Sequence, residues 1–279
     1  DSYVYNRHNN NSVKVVPIPP ARGIIFDRNK RILAENKITH NLEIDPSKKI
    51  DIEKIVNELN PFVSITKNDL AQYQRIIKNN YFSSTIPIKT DLTKQELARF
   101  LTNKYLFNNI SLKTRLKRHY QHKGLTSHVV GYINRINQKD IKLLTKNKRL
   151  SLYRGSDHIG KRGIEQRYEN LIHGIPGFEK IEVDAKGNII RTLEKKEPIH
   201  GQDIQLSIDI ELQKKAVDAF GNRKGALVAL SPHNGEILAY VSQPYFNPNL
   251  FVNGIDHKNW NILNTNKARP LLDLSLIHI

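Results

Sequence analysis

The residues in this sequence that are best suited to covalent chemistry are a serine and a lysine three positions apart, Ser64 and Lys67. In a Ser-x-x-Lys pair on one helix, the lysine lies one turn beyond the serine and lowers the cost of removing its proton, so that the serine oxygen can attack a carbonyl carbon. This pair instead overlaps the predicted start of a helix, where Thr66 and Asp69 form a capping-box-like pattern. We therefore interpret Ser64 and Lys67 as a chance match and predict that the chain contains no catalytic residue.

Two other patterns suggest ligand sites but lack part of what those sites need. Residues 155–161 have the glycine-to-lysine spacing of a phosphate-binding loop, but Arg162 stands where a magnesium-binding serine or threonine is required. His119, His122 and His128 could suggest a metal site, but the first two lie in a strand-like stretch, in which residues three apart point to opposite faces. No carboxylate with matching spacing accompanies them. We therefore predict no nucleotide, metal or organic cofactor.

The composition limits the class of protein. A chain of 279 residues, 38% of them apolar, is long enough for about two domains that each bury a core, and it has no run of the roughly 20 apolar residues that cross a bilayer. The absence of cysteine excludes disulfides and thiolate zinc sites. Because the chain also lacks methionine, we expect that a leader or membrane anchor was trimmed from a position before Asp1.

The formal net charge of +17 is the strongest compositional signal. It admits nucleic acid, an anionic membrane surface or another acidic polymer as a partner. The basic residues are spread along the whole chain, with local concentrations at residues 113–123 and 139–149, so we favour a solvated surface over a dedicated binding site.

Hydrophobic periodicity and turn residues predict a mixture of helices and strands in the first half of the chain. The first 21 residues are polar and then rich in proline, which favours an extended strap. The patterns that follow predict a hairpin over residues 22–34, a strand at 41–45, helices at 51–59, from Thr66 onward and at 91–101, and a strand at 85–89. The helix at 91–101 is predicted to be capped by Asp91 or Thr93.

The second half of the chain shows the same mixture. The patterns predict strands at 112–117 and 128–134, helices at 138–144 and 163–171, a hairpin of residues 178–184 and 188–193 with its turn at 185–187, and a hinge at 198–201. The clearest pattern of consecutive elements comes next. It predicts a strand at 203–208, a helix that begins after Asp209 and ends at Gly221, and a hairpin of residues 225–231 and 236–242 that turns at Asn-Gly.

Four motifs occur in order along the chain. Residues 22–36 match R-G-x-I-x-D-R-x-G-x-x-L-A-x-N, with Lys30 in place of the usual glycine; residues 128–133 match H-x-x-G-Y-x, residues 159–169 match I-G-K-x-G-x-E-x-x-Y-E, and the fourth motif spans residues 209–249. The residues that carry these matches are Arg22, Gly23, Asp27, Arg28, Asn36, His128, Gly131, Gly160, Lys161, Gly163, Glu165, Tyr168, Glu169, Asp209, Gln213, Gly235, Pro248 and Asn249. Together they resemble the motifs of class B penicillin-binding proteins, and most of all those of the members that serve cell elongation.

The resemblance implies an α+β fold in two parts. Residues 1–200 are expected to form an elongated, non-catalytic pedestal of the dimerisation-domain type, with an inserted α+β head or linker subdomain at about residues 40–110. Residues 201–279 are expected to form the N-terminal part of a penicillin-binding transpeptidase domain. In this interpretation the motif residues have structural rather than catalytic roles.

The resemblance also implies a function for an intact parent protein. Such an enzyme is a peptidoglycan D,D-transpeptidase that cross-links stem peptides, binds β-lactams and uses no cofactor. It would act at the periplasmic face of the inner membrane, with the scaffold protein MreC and the glycosyltransferase RodA as pedestal partners. Its chemistry needs a Ser-x-x-Lys, a Ser-x-Asn and a Lys-Thr-Gly motif, and the last two are absent here.

The last seven residues depart from the family pattern. In the family, the nucleophile follows shortly after a P-L-x-N-R-A segment, and here the match stops after Leu272. We therefore expect a truncated, catalytically inert chain with an off-pattern tail at 273–279. Two alternatives remain open: a docking module without chemistry for proteins of the elongation complex, and a basic module that binds nucleic acid or an anionic membrane.

Overall fold

The computed structural model describes residues 12–45, 51–79, 85–184 and 189–276. Twelve strands lie within these ranges: β1 (Ser12–Ile18), β2 (Ile25–Phe26), β3 (Ile32–Ile44), β4 (Ile86–Lys89), β5 (Ile110–Tyr120), β6 (Tyr132–Arg135), β7 (His158–Arg162), β8 (Gly177–Val183), β9 (Ile189–Lys196), β10 (Ile204–Gln205), β11 (Gly225–Leu230) and β12 (Ile237–Gln243).

Nine α-helices lie in the same described ranges: α1 (Ile52–Leu59), α2 (Lys67–Asn79), α3 (Lys94–Thr102), α4 (Ser127–Val130), α5 (Gln138–Lys146), α6 (Gly163–Arg167), α7 (Glu169–Ile172), α8 (Ile210–Phe220) and α9 (His257–Thr265). Short 3-10 helices occur at Lys104–Leu106, Leu150–Tyr153 and Pro248–Leu250. Among the described helices, none has the length and apolar character to cross a membrane.

Strand β3 is the centre of the largest sheet. It pairs antiparallel with β5 along eleven positions, from Ala34 opposite Tyr120 to Ile44 opposite Ile110. It also pairs with β2 near its start and with β4 at its end. The two-residue strand β10 adds to β2 in parallel, which joins residues 204–205 to the sheet built from the beginning of the chain.

The remaining strands form three smaller sheets. Strands β1, β8 and β9 make an antiparallel sheet with β8 in the middle. Strands β6 and β7 form one two-stranded ribbon, and β11 and β12 form another. The mixed α+β fold class predicted from the sequence is confirmed by this arrangement.

The long strand β3 contributes to two separate hydrophobic cores. Its C-terminal residues Leu42 and Ile44 pack with α1, α2, α3 and β4 in the first core. Its N-terminal residues Leu33 and Ala34 pack in the second core with residues of β2, α4, β6, α7 and α8. Midway between the two cores, the cross-strand pair Ile38 and Leu116 is exposed, with relative residue exposures of 69% and 50%.

Several local predictions are confirmed. Asp209 caps α8 with its side-chain carboxylate, and Gly221 ends that helix. Of the two candidate caps at α3, Thr93 is the cap, in a complete capping box with Glu96. The hairpin of β11 and β12 forms as predicted, and its turn requires the positive φ of Gly235 (+73°).

Other predictions of the bounds of strands and helices are wrong. Residues 41–45 are not a separate strand but the end of β3, which β5 extends by pairing along its whole length. Residues 128–134 are not one strand: Val130 donates its backbone N–H to Thr126, which forms α4, and Gly131 at φ +76° then turns the chain into β6. The strand at 203–208 is only two residues long because its partner β2 is equally short. The helix at 163–171 is divided at Tyr168 into α6 and α7.

Two predictions concern regions that are only partly described. The predicted strap includes β1, which is extended as expected and pairs with β8, while residues 1–11 lie outside the described ranges. The turn at 185–187 and the last three residues of the off-pattern tail also lie outside them. The segment predicted as a hinge, 198–201, is hydrogen-bonded on both sides, since Ile199 pairs with Ile175 and Gly201 donates to Ala21.

Candidate functional site: a buried arginine–glutamate network

The most unusual site in the described chain is a buried ion network centred on Glu165. This carboxylate is completely inaccessible to solvent, and Nε of Arg22 donates to its Oε2 at 2.6 Å. Nε of Arg118 donates to its Oε1 at 2.7 Å. A second carboxylate, Glu169, accepts two further bonds from the Arg22 guanidinium, at 2.6 and 3.2 Å. Two arginines and two glutamates therefore balance in charge within the core.

These four side chains come from three distant stretches of sequence. Arg22 lies just before β2, and Arg118 is near the end of β5. Glu165 is in α6, and Glu169 begins α7. The division between α6 and α7 thus lies between the two glutamates that bind Arg22. No two of these stretches are adjacent in the chain, so the network forms only when the tertiary fold is complete.

Two tyrosines and a backbone amide donate further hydrogen bonds to the two glutamates. Tyr120 Oη donates to Glu165 at 3.2 Å, and Tyr153 Oη donates to Glu169 at 2.9 Å. The N–H of Gly160 donates to Glu169 at 2.9 Å. A Cβ at Gly160 would lie 2.1 Å from the carbonyl oxygen of Glu165, so only glycine allows this approach.

The environment shifts the pKa values of the network in defined directions. Burial alone would raise the pKa of Glu165, but the guanidinium groups of Arg118 and Arg22 outweigh it and hold the pKa below the ordinary value. For Glu169, burial would likewise raise the pKa, but the guanidinium group of Arg22 outweighs it and lowers the pKa. Burial raises the pKa of Tyr153, and the neighbouring Glu169 raises it further. Both carboxylates are therefore ionised, and both tyrosines act as hydrogen-bond donors.

A ring of backbone contacts connects the network to the first motif. Arg118 Nη1 donates to the carbonyl oxygen of Gly23 at 2.8 Å and to Asn36 Oδ1 at 3.3 Å. Asn36 in turn donates from Nδ2 to the carbonyl oxygen of Arg22. Within the described structure, Nη2 of Arg118 is the one buried guanidinium nitrogen without a protein partner. The first and third motifs therefore meet at one site.

A second set of motif residues attaches residues 204–252 to this sheet. Asp27, which is fully buried, accepts from the backbone of Asn29 and Arg31 through Oδ1 and from Ile210 through Oδ2. The backbone N–H of Arg28 donates to the carbonyl oxygen of Ile208 at 2.9 Å. The turn of the first motif therefore holds the start of α8, which its neighbour Asp209 caps.

Gln213 and Asn249 make the most specific of these attachments. Gln213 is 1% exposed; its Nε2 donates to the carbonyl oxygens of Leu125 and Tyr240, at 2.7 and 2.6 Å, and its Oε1 accepts from the N–H of Tyr240 at 2.7 Å. Asn249 exchanges two hydrogen bonds, both 2.9 Å, with the backbone of Tyr120. Since Tyr120 also contacts Glu165, the attachment and the ion network share a residue.

The other motif residues have separate roles. Gly131 and Gly163 have φ values of +76° and +62° and approach each other so closely that a Cβ on Gly163 would lie 2.7 Å from the nitrogen of Gly131. Lys161 forms an ion pair with Asp140, away from the network. Pro248 is buried at the start of a 3-10 helix, whereas Tyr168 and Gly235 lie toward the surface. His128 packs edge-on against Phe246, and burial lowers its pKa.

The patterns that suggested chemistry lie elsewhere. Ser64 precedes α2 and uses its backbone N–H to contact Glu96, while Lys67 is the first residue of that helix, so the two do not share a helical face. Residues 155–161 lead into strand β7 rather than into a helix. His119 lies in β5 next to Glu35, and burial lowers its pKa. In the described chain, no group of three or more histidine, aspartate or glutamate side chains could hold a metal ion.

Sequence reasoning selected Arg22, Glu165 and Glu169 but not Arg118 or Tyr153. Arg118 lies in the basic strand β5 directly opposite Asn36, and only the pairing of β3 with β5 reveals this position. The assembled site contains no serine, and both of its carboxylates are bound by guanidinium groups. What the arrangement does is fix three segments relative to one another.

Comparison with known proteins agrees with this geometry. The penicillin-binding protein dimerisation domain family matches residues 17–206. The peptidoglycan D,D-transpeptidase MrdA of Acinetobacter baumannii is 41% identical over 261 residues, which are 94% of this chain and 38% of the relative. The MrdA of Escherichia coli K12 is 37% identical over 267 residues, 96% of this chain and 42% of the relative. The chain thus spans about two fifths of the length of these curated relatives.

Solved structures of penicillin-binding protein 2 are also similar. The complex of this protein with MreC from Helicobacter pylori matches with a TM-score of 0.79 and 28% identity, covering 94% of this chain and 48% of that one. The Pseudomonas aeruginosa protein in complex with WCK 5153 matches with a TM-score of 0.56 and 32% identity, covering 93% of this chain and 37% of that one.

Replacement of the central carboxylate tests the network. Glu165→Gln leaves the buried guanidinium of Arg118 without a counter-charge and leaves Arg22 with Glu169 alone. Breaking a buried pair in this way costs about 3–5 kcal/mol of unfolding free energy. The matched control Glu194→Gln removes an exposed partner of Lys180 and should cost less than about 1 kcal/mol. Urea denaturation followed by circular dichroism measures both. Equal effects of the two substitutions would contradict a structural role for the network.

The pH dependence of stability follows from the lowered pKa values. A carboxyl whose pKa is lower in the folded than in the unfolded state contributes stability above its unfolded pKa, here near 4.5, and loses it as the pH falls toward the folded value. We expect the urea midpoint to fall steadily below that pH. Glu169→Gln should flatten this decline, whereas Glu194→Gln should leave it unchanged. If the urea midpoint of Glu169→Gln fell with pH in parallel with that of the unsubstituted chain, the lowered pKa of Glu169 would be excluded as a cause of the decline.

Proposed function

The chain belongs to the penicillin-binding proteins that carry the penicillin-binding protein dimerisation domain, and from this membership we propose that it is part of a peptidoglycan D,D-transpeptidase of cell elongation. The relatives that support this proposal are MrdA transpeptidases that match along nearly the whole chain. The single observation that carries it is the buried network, since it unites two of the four family motifs around one carboxylate.

The proposed reaction of the whole protein is serine acyl transfer. A serine oxygen attacks the carbonyl carbon of a D-Ala-D-Ala stem peptide, backbone N–H groups stabilise the oxyanion, and the terminal D-alanine leaves. The amine of a second stem peptide then takes the acyl group and forms the cross-link. A β-lactam would acylate the same serine. This chemistry belongs to the whole protein, and the residues described here would position it rather than perform it.

The domain division is part of the same proposal. Residues 1–200 would form the pedestal, with an α+β head at about 40–110 that corresponds to the first core, and residues 201–279 would belong to the transpeptidase domain. Support comes from the two cores on β3 and from the hydrogen bonds of Asp27, Gln213 and Asn249, which attach the later segment. We further propose a location at the periplasmic face of the inner membrane, with RodA as a neighbour.

A second candidate function is docking of MreC. The Helicobacter pylori relative is known in complex with MreC, and its fold matches this chain closely. The observation that favours a docking role is the exposed apolar pair Ile38 and Leu116 on the β3–β5 ribbon. The pair lies between the two cores, and both residues are at least half exposed. Two large side chains side by side offer an apolar contact that a partner can bury.

The acyl-transfer proposal predicts that the 279-residue chain itself does not react with penicillin. In its one Ser-x-x-Lys pair, Ser64 lies before α2 and Lys67 is the first residue of that helix, so the two side chains do not lie one helical turn apart. Incubation with fluorescent penicillin, followed by denaturing electrophoresis, should give no labelled band, while full-length MrdA of Acinetobacter baumannii should be labelled as the positive control. A labelled band that disappears in Ser64→Ala would show that the catalytic serine had been placed wrongly.

The docking proposal predicts a selective loss of MreC binding. Ile38→Lys places a charge in the apolar contact and should weaken binding of MreC from the same organism by about tenfold or more, since a buried isoleucine contributes about 1.5–3 kcal/mol. Ile190→Lys is the matched control, because Ile190 is also a strand residue that is 51% exposed. Biolayer interferometry measures the affinities. Equal affinities of the two variants for MreC would show that the β3–β5 ribbon is not part of the MreC interface.

A further inference from the structure

Helix α5 presents an unusual outward face. Its inner side buries Leu144 against Tyr153 and Ile159 in the third core. At 3.6 residues per turn, Lys139, Lys142, Leu143 and Lys146 project from the opposite side within an arc of about 100°. All three lysines are exposed, and the leucine in their midst is 57% exposed. We refer to these four residues together with Lys148 as the α5 face.

The charge of the α5 face is not neutralised by the protein. The helix carries one acidic residue, Asp140, which bonds the backbone N–H of Asn137 in the capping box and pairs with Lys161. Throughout the described part of the chain, Lys139, Lys142, Lys146 and Lys148 form no ion pair. Four cationic groups are therefore available to an anionic partner.

Lys148 extends the charged face from an unfavourable backbone position. The helix ends in a Schellman-type turn in which Arg149 N–H bonds to the carbonyl oxygen of Leu144 at 2.8 Å, and Lys148 has a φ of +55°. Glycine is the usual residue at this position because it has no Cβ to strain. A lysine there lowers the stability of the fold while adding a charge next to Lys146.

From this surface we infer that the α5 face binds the headgroups of an anionic phospholipid bilayer. The inference rests on the proposed membrane-proximal location of the chain and goes beyond it by naming the surface and the lipid chemistry. Clustered lysines are attracted to anionic headgroups, and an exposed leucine among them can enter the boundary between headgroups and acyl chains. Nucleic acid is less suited to this face, since residues 137–148 contain no aromatic side chain on which a base could stack.

Vesicle binding by the 279-residue chain tests the inference. The chain should sediment with vesicles of phosphatidylcholine and phosphatidylglycerol, but not with vesicles of phosphatidylcholine alone, and added salt should weaken the binding. The double substitution Lys142→Glu and Lys146→Glu should reduce the affinity at least about 25-fold. The matched control, Lys214→Glu with Lys215→Glu on exposed positions of α8, makes the same change in net charge and should retain most of the affinity.

Lys148→Gly separates binding from folding. This substitution relieves the strained φ, so it should raise the urea midpoint while it weakens vesicle binding about fivefold. Equal losses in the two double variants would attribute binding to net charge and overturn the inference, as would full affinity in the α5 variant or preferential binding to purified peptidoglycan sacculi. The penicillin assay is independent of this outcome, so the α5 face can fail while the acyl-transfer proposal stands.

Discussion

The folded structure depends on placing the charge of Glu165 where water cannot reach it. An isolated carboxylate in such a position is strongly unfavourable, and the site is tolerated only because two guanidinium groups and a phenol surround it. Those groups come from residues 22, 118 and 120, so the carboxylate cannot be satisfied by its own neighbourhood in sequence. A partly folded chain that buries Glu165 without Arg22 or Arg118 is therefore unfavourable. The network acts as a condition for correct assembly more than as a source of stability.

Strand β3 connects the ion network to the rest of the molecule. It runs from the second core, beside the network, to the first core, and its pairing with β5 keeps both strands in register over eleven positions. Because side chains alternate between the faces of a strand, a slip of one residue would move Arg118 away from Glu165. The same slip would turn Leu42 and Ile44 out of the first core. The ion pairs at one end and the apolar packing at the other therefore select the same register.

The sequence predicted what local chemistry determines. The caps at Thr93 and Asp209 and the β11–β12 hairpin depend on residues within a few positions of one another. The full length of β3 depends on its pairing with β5, which lies far along the chain, so periodicity alone could not give it. The motif comparison selected Arg22, Glu165 and Glu169 as important, but their mutual contact was not predicted, and Arg118 was not selected. These contacts depend on which strands pair in the folded chain, and residue types alone do not show that.

The β11–β12 hairpin is held from one side only. Strand β12 buries Ala239, Val241 and Ser242, and Gln213 binds the backbone of Tyr240 from within α8. Strand β11 instead leaves Leu227, Val228 and Leu230 between 36% and 58% exposed, and its outer edge pairs with no other strand in the described chain. An exposed apolar edge invites strand addition, so the orientation of this hairpin matters for whatever covers it. Gln213 sets that orientation from the buried side through its two bonds to the backbone of Tyr240, so the contacts that join α8 to β12 also fix the direction in which the sheet can grow.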